Sequence, residues 1–209
     1  MIFAYVFEGK DITDLRESIS LVEHFYPDAQ IIISTHSQHP FMKQYRVASP
    51  TRSSSNKHID QYFKIVDLIV RLDDPFILMN DDFMLLGEFQ DDGDYGSTLE
   101  QRIKGQKHHD SQWDMFIKTK AILEKHGLPT HSFELHKPMF IDPDIAREMI
   151  FEVEEHGLFR SLYGNFAMAQ GGEFIQAKFD PKNDERATWV ISHDPGTRPH
   201  LRHLWEKLL

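Results

Sequence analysis

This sequence predicts a three-layer α/β/α fold with a mostly parallel central sheet, and three observations carry the prediction. Short apolar runs at Ile2–Phe7, Ile31–Ile33 and Phe76–Met79 have the length and the bulky or β-branched content of buried strands. Between them, 11–25 and 56–72 space their apolar residues as amphipathic helices do. Strand and helix alternating in this order imply parallel strands joined by helical crossovers.

The 209 residues suit one domain over 1–209, and 40% hydrophobic content with 16 Phe supplies a core. No apolar run approaches the roughly 20 residues of a membrane helix, so no membrane span is expected. The opening Met1–Phe7 has no basic leader and reads as a strand, not a signal peptide. The absence of Cys excludes disulfides and thiolate metal sites, and it fits a reducing, cytoplasmic setting. A formal charge of −10, from 33 acids against 23 Lys and Arg, argues against nonspecific binding to nucleic acid.

Glu8-Gly9 closes the first strand, and Asp11 or Thr13 caps a helix whose Leu15, Ile19 and Val22 share a face. Pro27-Asp28 stops it, and Ile31–Ile33 forms the second strand. A Pro- and Ser-containing stretch, 36–55, holds a short strand near Arg46–Ala48. The helix at 56–72 turns Ile59, Phe63, Val66, Ile69 and Val70 inward. Residues 87–110 lose periodicity and read as a mobile loop, with Lys104, Lys107, His108 and His109 suiting a lid. A helix follows at 111–125, with Ser111 as cap, Trp113, Phe116, Ile117 and Ile122 on its apolar side, and Gly127 after its end. Phe133–Leu135 is a brief strand, and Pro143 opens a helix whose Ile145, Met149, Ile150 and Val153 face one way. Trp189–Ile191 is the last strand, and the tail from Arg198 is a basic helix.

The chemistry concentrates where Phe76–Met79 runs into Asn80-Asp81-Asp82 and apolar residues resume at Phe83. Two adjacent carboxylates in apolar surroundings repel each other and resist desolvation unless a cation sits with them. Hard oxygen donors favour Mg²⁺ or Mn²⁺, which commonly bridge carboxylates to substrate phosphates. The bland alternative is a solvated acidic turn. Asp194, in His193-Asp194-Pro195-Gly196, is either a further ligand from a distant strand or ordinary turn chemistry. Arg160 either clamps a phosphate or pairs with Glu152, Glu154 and Glu155. Ser53-Ser54-Ser55 before a helix offers either an anion site or simple capping. Tyr5 either stacks a nucleotide base or belongs to the core.

Four blocks resemble the Stealth family of capsular-polysaccharide phosphotransferases, whose catalytic domain looks like a GT-A fold. They are Ala4–Gly9, with Glu8 where Asp is more usual; Leu15 to Asp82, ending in the hallmark Asn-Asp-Asp; His136-Lys137-Pro138 with Phe159-Arg160-Ser161; and Val190–Asp194, with His193 where the family has Asn. The resemblance implies a GT-A-like fold and a nucleotide-sugar donor, UDP-linked by preference. It implies Mn²⁺ or Mg²⁺ on Asp81, Asp82, Asp194 and His193, and catalytic roles for Asp82, Arg160 and His136, whose imidazole would take a proton from an acceptor hydroxyl. Donor contacts would come from Tyr5, Glu8, Arg16, Arg52, Ser55, Asn56, Asn80 and Asp81. The expected activity is glycosyl transfer to a glycan hydroxyl or a hydroxymethylated DNA base. The alternatives are sugar-1-phosphate transfer, a noncatalytic nucleotide- or glycan-binding protein, and a metal-dependent nuclease or phosphatase.

Overall fold

The computed structural model describes residues 1–9, 12–89, 94–106, 110–135 and 137–172, with backbone alone at 94–95, 175–176 and 189–191. In chain order, β1 (Ile2–Val6) leads through α1 (Ile12–Phe25) to β2 (Gln30–Ser34) and β3 (Arg46–Ala48). Next come α2 (Lys57–Arg71), β4 (Phe76–Asn80), β5 (Phe83–Leu85), β6 (Asp94–Tyr95), α3 (Leu99–Gly105) and α4 (Ser111–Lys125). The remaining elements are β7 (Met139–Ile141), α5 (Pro143–Val153), α6 (Phe159–Ala169), β8 (Ile175–Gln176) and β9 (Trp189–Ile191).

The main sheet has the order β3-β2-β1-β4-β7, with the first four strands parallel and β7 antiparallel at the edge. Alternation along β1 divides the core. Ile2, Ala4 and Val6 pack with α2, α4, α5 and α6, while Phe3, Tyr5 and Phe7 pack with α1 and β5. The predicted three layers are therefore present. From β1 the chain steps outward to β2 and β3, then returns to place β4 on the other side of β1. The crossover direction reverses between β1 and β4, and open α/β sheets bind ligands beyond the carboxyl ends at such a point. Val6 lies opposite Asn80 in that register, so the acids following Asn80 emerge at the switch.

Several local expectations change. On α2 the buried residues are Tyr62, Lys64, Ile65, Leu68 and Ile69, and Val70 is 70% exposed. Ile59, Phe63 and Val66 pack against the core while partly buried, and Lys64, polar in sequence, joins the buried face because it meets Asp60 at 2.7 Å and buries its stem. On α4 the cap is Asp110, not Ser111; Phe116 and Ile122 face inward as expected, joined by Met115, Thr119 and Leu123, while Ile117 is exposed. The Thr119 hydroxyl fits there because it donates to Met115 O at 2.7 Å and accepts from Leu158 N at 2.9 Å. Thr13 lies inside the first turn of α1 and does not cap it.

Part of the expected loop at 87–110 is regular: α3 begins at a capping box, in which Thr98 accepts from Gln101 N and Gln101 reaches back to Thr98 N. Phe133–Leu135 is not a strand. Its neighbourhood is held instead by α6 side chains, with Asn165 bonding both N and O of His131 and Ser161 Oγ accepting from Phe133 N. β5 pairs with β9 outside the main sheet. The basic tail from Arg198 lies outside the described residues.

Candidate active site

Beyond the carboxyl ends of β1 and β4 lies a cleft of roughly 230 Å³, lined by Glu8, Asn80, Asp81, Asp82, Glu134 and Arg160 among others. The N-terminal turns of three helices contribute to its wall: Lys57, His58 and Gln61 from α2, Gln112 from α4 and Arg160 from α6. Their dipoles point positive ends at the space, where they favour negative charge. The acids oppose this with a local excess of carboxylates.

Asp81 and Asp82 form the two-residue turn between β4 and β5, where the chain leaves the sheet. Burial first, then the charge of Asp82, with smaller contributions from Glu8 and Asp14, pushes the Asp81 carboxyl from 3.8 up to about 7. No cationic side chain is ion-paired with Asp81 among the described residues. A hard divalent cation would return that carboxyl to its ionised form, so the donor set fits Mg²⁺ or Mn²⁺ chemically. Among the described residues no group of three His, Asp or Glu is arranged to hold a metal, and His193 and Asp194 lie outside them.

Arg160 is 5% exposed, and the surface pairing with the acids of 152–155 is excluded by its position in the cleft. Glu155 is engaged with Lys125 and His126. The guanidinium donates to Lys137 O at 2.7 Å and to Asn80 Oδ1 at 3.3 Å, and it lies 5.4 Å from the Phe83 ring centre. Burial lowers it to about 10, against the pull of Glu134 and Asp82, so it stays charged at neutral pH. Gln61 Nε2 also donates to Asn80 Oδ1, at 3.4 Å.

Glu134 accepts from Ser161 N at 3.1 Å and from Ser161 Oγ at 3.0 Å, at the N-terminus of α6. Burial raises its carboxyl, and Arg160, Ser161 and Arg102 pull the other way. This approach depends on Gly164, where a Cβ would fall 2.5 Å from the Phe133 ring. Burial, and then the charge of Lys57, lower the His58 imidazole against the pull of Glu8 and Asp110, and its Nε2 is buried without a hydrogen bond.

Of the residues nominated from sequence, Glu8, Asn80, Asp81, Asp82 and Arg160 therefore meet in one cleft. Tyr5 does not: it is fully buried and its hydroxyl bonds Ser18 Oγ at 2.9 Å, leaving no face for a base. Burial also pushes its phenol well above the usual range. Arg16 sits over Phe41 at 5.4 Å and Arg52 over Phe63 at 5.8 Å, neither among the cleft's lining residues. Asn56 caps α2 by accepting from His58 N and Ile59 N, and Ser55 is exposed just before it. His136 lies outside the described residues, as do His193 and Asp194. Sequence reasoning missed Lys57, His58, Gln61, Gln112 and Glu134. The first three were legible as one helix face behind the Asn56 cap, whereas a lone Glu134 carried no signal.

No protein-family model matches this sequence, and no curated protein matches it. Among solved structures, the chain is similar to an active-site mutant of LgtC, with TM-score 0.44 and 10% identity over 85% of this chain and 72% of that one. It is also similar to galactosyltransferase LgtC in complex with donor and acceptor sugar analogs, at 0.45 and 12% over 85% and 73%. A third likeness, at 0.36 and 9% over 98% of both chains, is to a glycosyltransferase involved in the glycosylation of the major capsid of PBCV-1. No matching family supports the Stealth resemblance.

Proposed function

We propose that this chain is a metal-dependent glycosyltransferase that moves a sugar from a nucleotide-diphosphate sugar, UDP-linked by preference, to a glycan hydroxyl. The observation that carries the reading is the Asp81–Asp82 turn at the topological switch point, where burial and like charge push one carboxyl up to about 7. Such a pair is costly to maintain without a bound cation. Asp81 and Asp82 would hold the ion, with Asp194 or His193 as the ligands expected from sequence. When bound, the cation offsets the charge of the departing diphosphate. Arg160 supplies a second, fixed positive charge to the same space, and Asn80, tethered by Arg160 and Gln61, presents polar atoms beside it. His136 is the sequence's nominee for proton acceptor. The net charge of −10 weighs against a DNA acceptor.

The test is incubation with Mn²⁺, a panel of sugar nucleotides and glycan acceptors, followed by analysis of the released nucleotide. Nucleoside diphosphate with glycosylated acceptor is the expected result, lost with EDTA and reduced about 100-fold or more in Asp82→Asn. Nucleoside monophosphate would replace this reading with sugar-phosphate transfer. No turnover and no metal-dependent donor binding would end it.

A further inference from the structure

Glu134 has no role in the reading from sequence, yet the fold fixes it unusually well. Its Oε1 takes both hydrogen bonds from Ser161, at 3.1 Å and 3.0 Å, which immobilises the carboxylate. Oε2 makes no hydrogen bond among the described residues, and Glu134 lines the cleft shared with Asp81, Asp82 and Arg160. The segment carrying it is itself clamped, by Asn165 at His131 and by Arg102 Nη2 donating to Glu134 O at 3.3 Å. One oxygen is thus anchored while the other makes no hydrogen bond among the described residues, in a side chain that lines the cleft. Oε1 caps α6 in place of Leu158, which offers no side-chain bond, and that capping leaves Oε2 unused.

Resting on the transfer reading above, we propose that Glu134 is the base that receives the proton of the acceptor hydroxyl. As the acceptor oxygen forms its bond to the anomeric carbon, its proton passes to Glu134 Oε2. The bond from the anomeric carbon to the diphosphate oxygen breaks, and its electron pair leaves with the nucleotide. The proton is then released to water. Burial raises this carboxyl overall, which suits a proton acceptor, and Arg160, Ser161 and Arg102 limit the rise.

Glu134→Gln is the sharp test, because the amide oxygen still accepts from Ser161 while basicity is lost. In the assay with Mn²⁺, UDP-sugar and acceptor, kcat is expected to fall about 100-fold or more, with donor affinity by calorimetry kept within about twofold. Formate added to Glu134→Ala is expected to restore part of the rate, which a purely structural role would not allow. The assignment is overturned if Glu134→Gln keeps its rate within about threefold, or if it loses donor binding along with the rate. The two readings fail differently. A parent protein that turns over no sugar nucleotide removes both, whereas an active parent with an equally active Glu134→Gln removes this one alone.

Discussion

Asp60 and Asp81 are both partly buried carboxylates, and the fold treats them in opposite ways. Burial works against ionised Asp60, but Lys64 at 2.7 Å, Ser54 N at 3.1 Å and His36 at 3.5 Å outweigh it, and its carboxyl ends below the usual range. Asp81 meets burial plus the charge of Asp82, and ends at about 7. The first carboxylate is completed by its own chain, so it belongs to the scaffold. The second has no ion-paired cation of its own among the described residues, and a perturbed carboxyl in a cleft marks a candidate site.

The largest expected effect tests the completed side of the comparison. Lys64→Met leaves Asp60 without its main partner and should cost about 3 kcal/mol, read from urea unfolding at pH 7. The double variant with Asp60→Asn should recover much of it. An unchanged midpoint in Lys64→Met would mean that the pair contributes nothing.

Next in size, Asp81→Asn should stabilise the metal-free protein at pH 8. A carboxyl moved from 3.8 to about 7 corresponds nominally to about 4 kcal/mol, and relaxation around a half-buried group brings the expected gain nearer 2. Manganese should raise the melting temperature of the parent and not of this variant. A destabilised Asp81→Asn would place Asp81 on the scaffold side instead.

The pH dependence of the two residues has opposite sign. Asp60 titrates lower in the folded state, so its stabilisation is complete above the unfolded value near 4 and is lost as pH falls through the folded one. Asp81 titrates higher when folded, so metal-free stability declines as pH rises from about 4 towards 7 and then levels. Unfolding midpoints of Asp60→Asn and Asp81→Asn across pH 3–8, each subtracted from the parent, should slope in opposite directions. Parallel slopes would dissolve the distinction.

The smallest effect concerns the helix that presents Asp60. Asn56→Ala removes the side chain that accepts from His58 N and Ile59 N and should cost about 1 kcal/mol. Metal affinity in the cleft should stay the same by calorimetry, since the cap supports the scaffold.

The strands at the middle of the sheet were legible because burial on both faces leaves an unbroken apolar run, as in Phe76–Met79. What sequence obscured was whichever polar residue the fold had satisfied internally. Lys64 and Thr119 sit on buried faces although they read as polar in sequence; Ile69, Phe116 and Ile122 face inward as expected, and the errors fall at Val70 and Ile117, which are exposed. β7 went unseen because only Met139 and Ile141 face the core while Phe140 is 45% exposed, too short a pattern to register at a sheet edge. α6 was missed because its N-cap, Leu158, makes no side-chain bond, whereas α3 announced itself in Thr98-Leu99-Glu100-Gln101 and was overlooked among charged neighbours. In the cleft, the acids stood out through their apolar flanks. Glu134 did not, since its meaning comes from Ser161, 27 residues later.

Gly164 gives this arrangement its narrowest tolerance. With hydrogen alone facing the Phe133 ring, α6 settles onto the 131–135 segment closely enough for Ser161 to grip Glu134. A methyl group at 164 must displace either the ring or the helix, and both carry one wall of the pocket. The spacing between Glu134 and the Arg160 guanidinium is thus governed by a position outside the cleft's lining, and mutational searches aimed only at lining residues would pass over it.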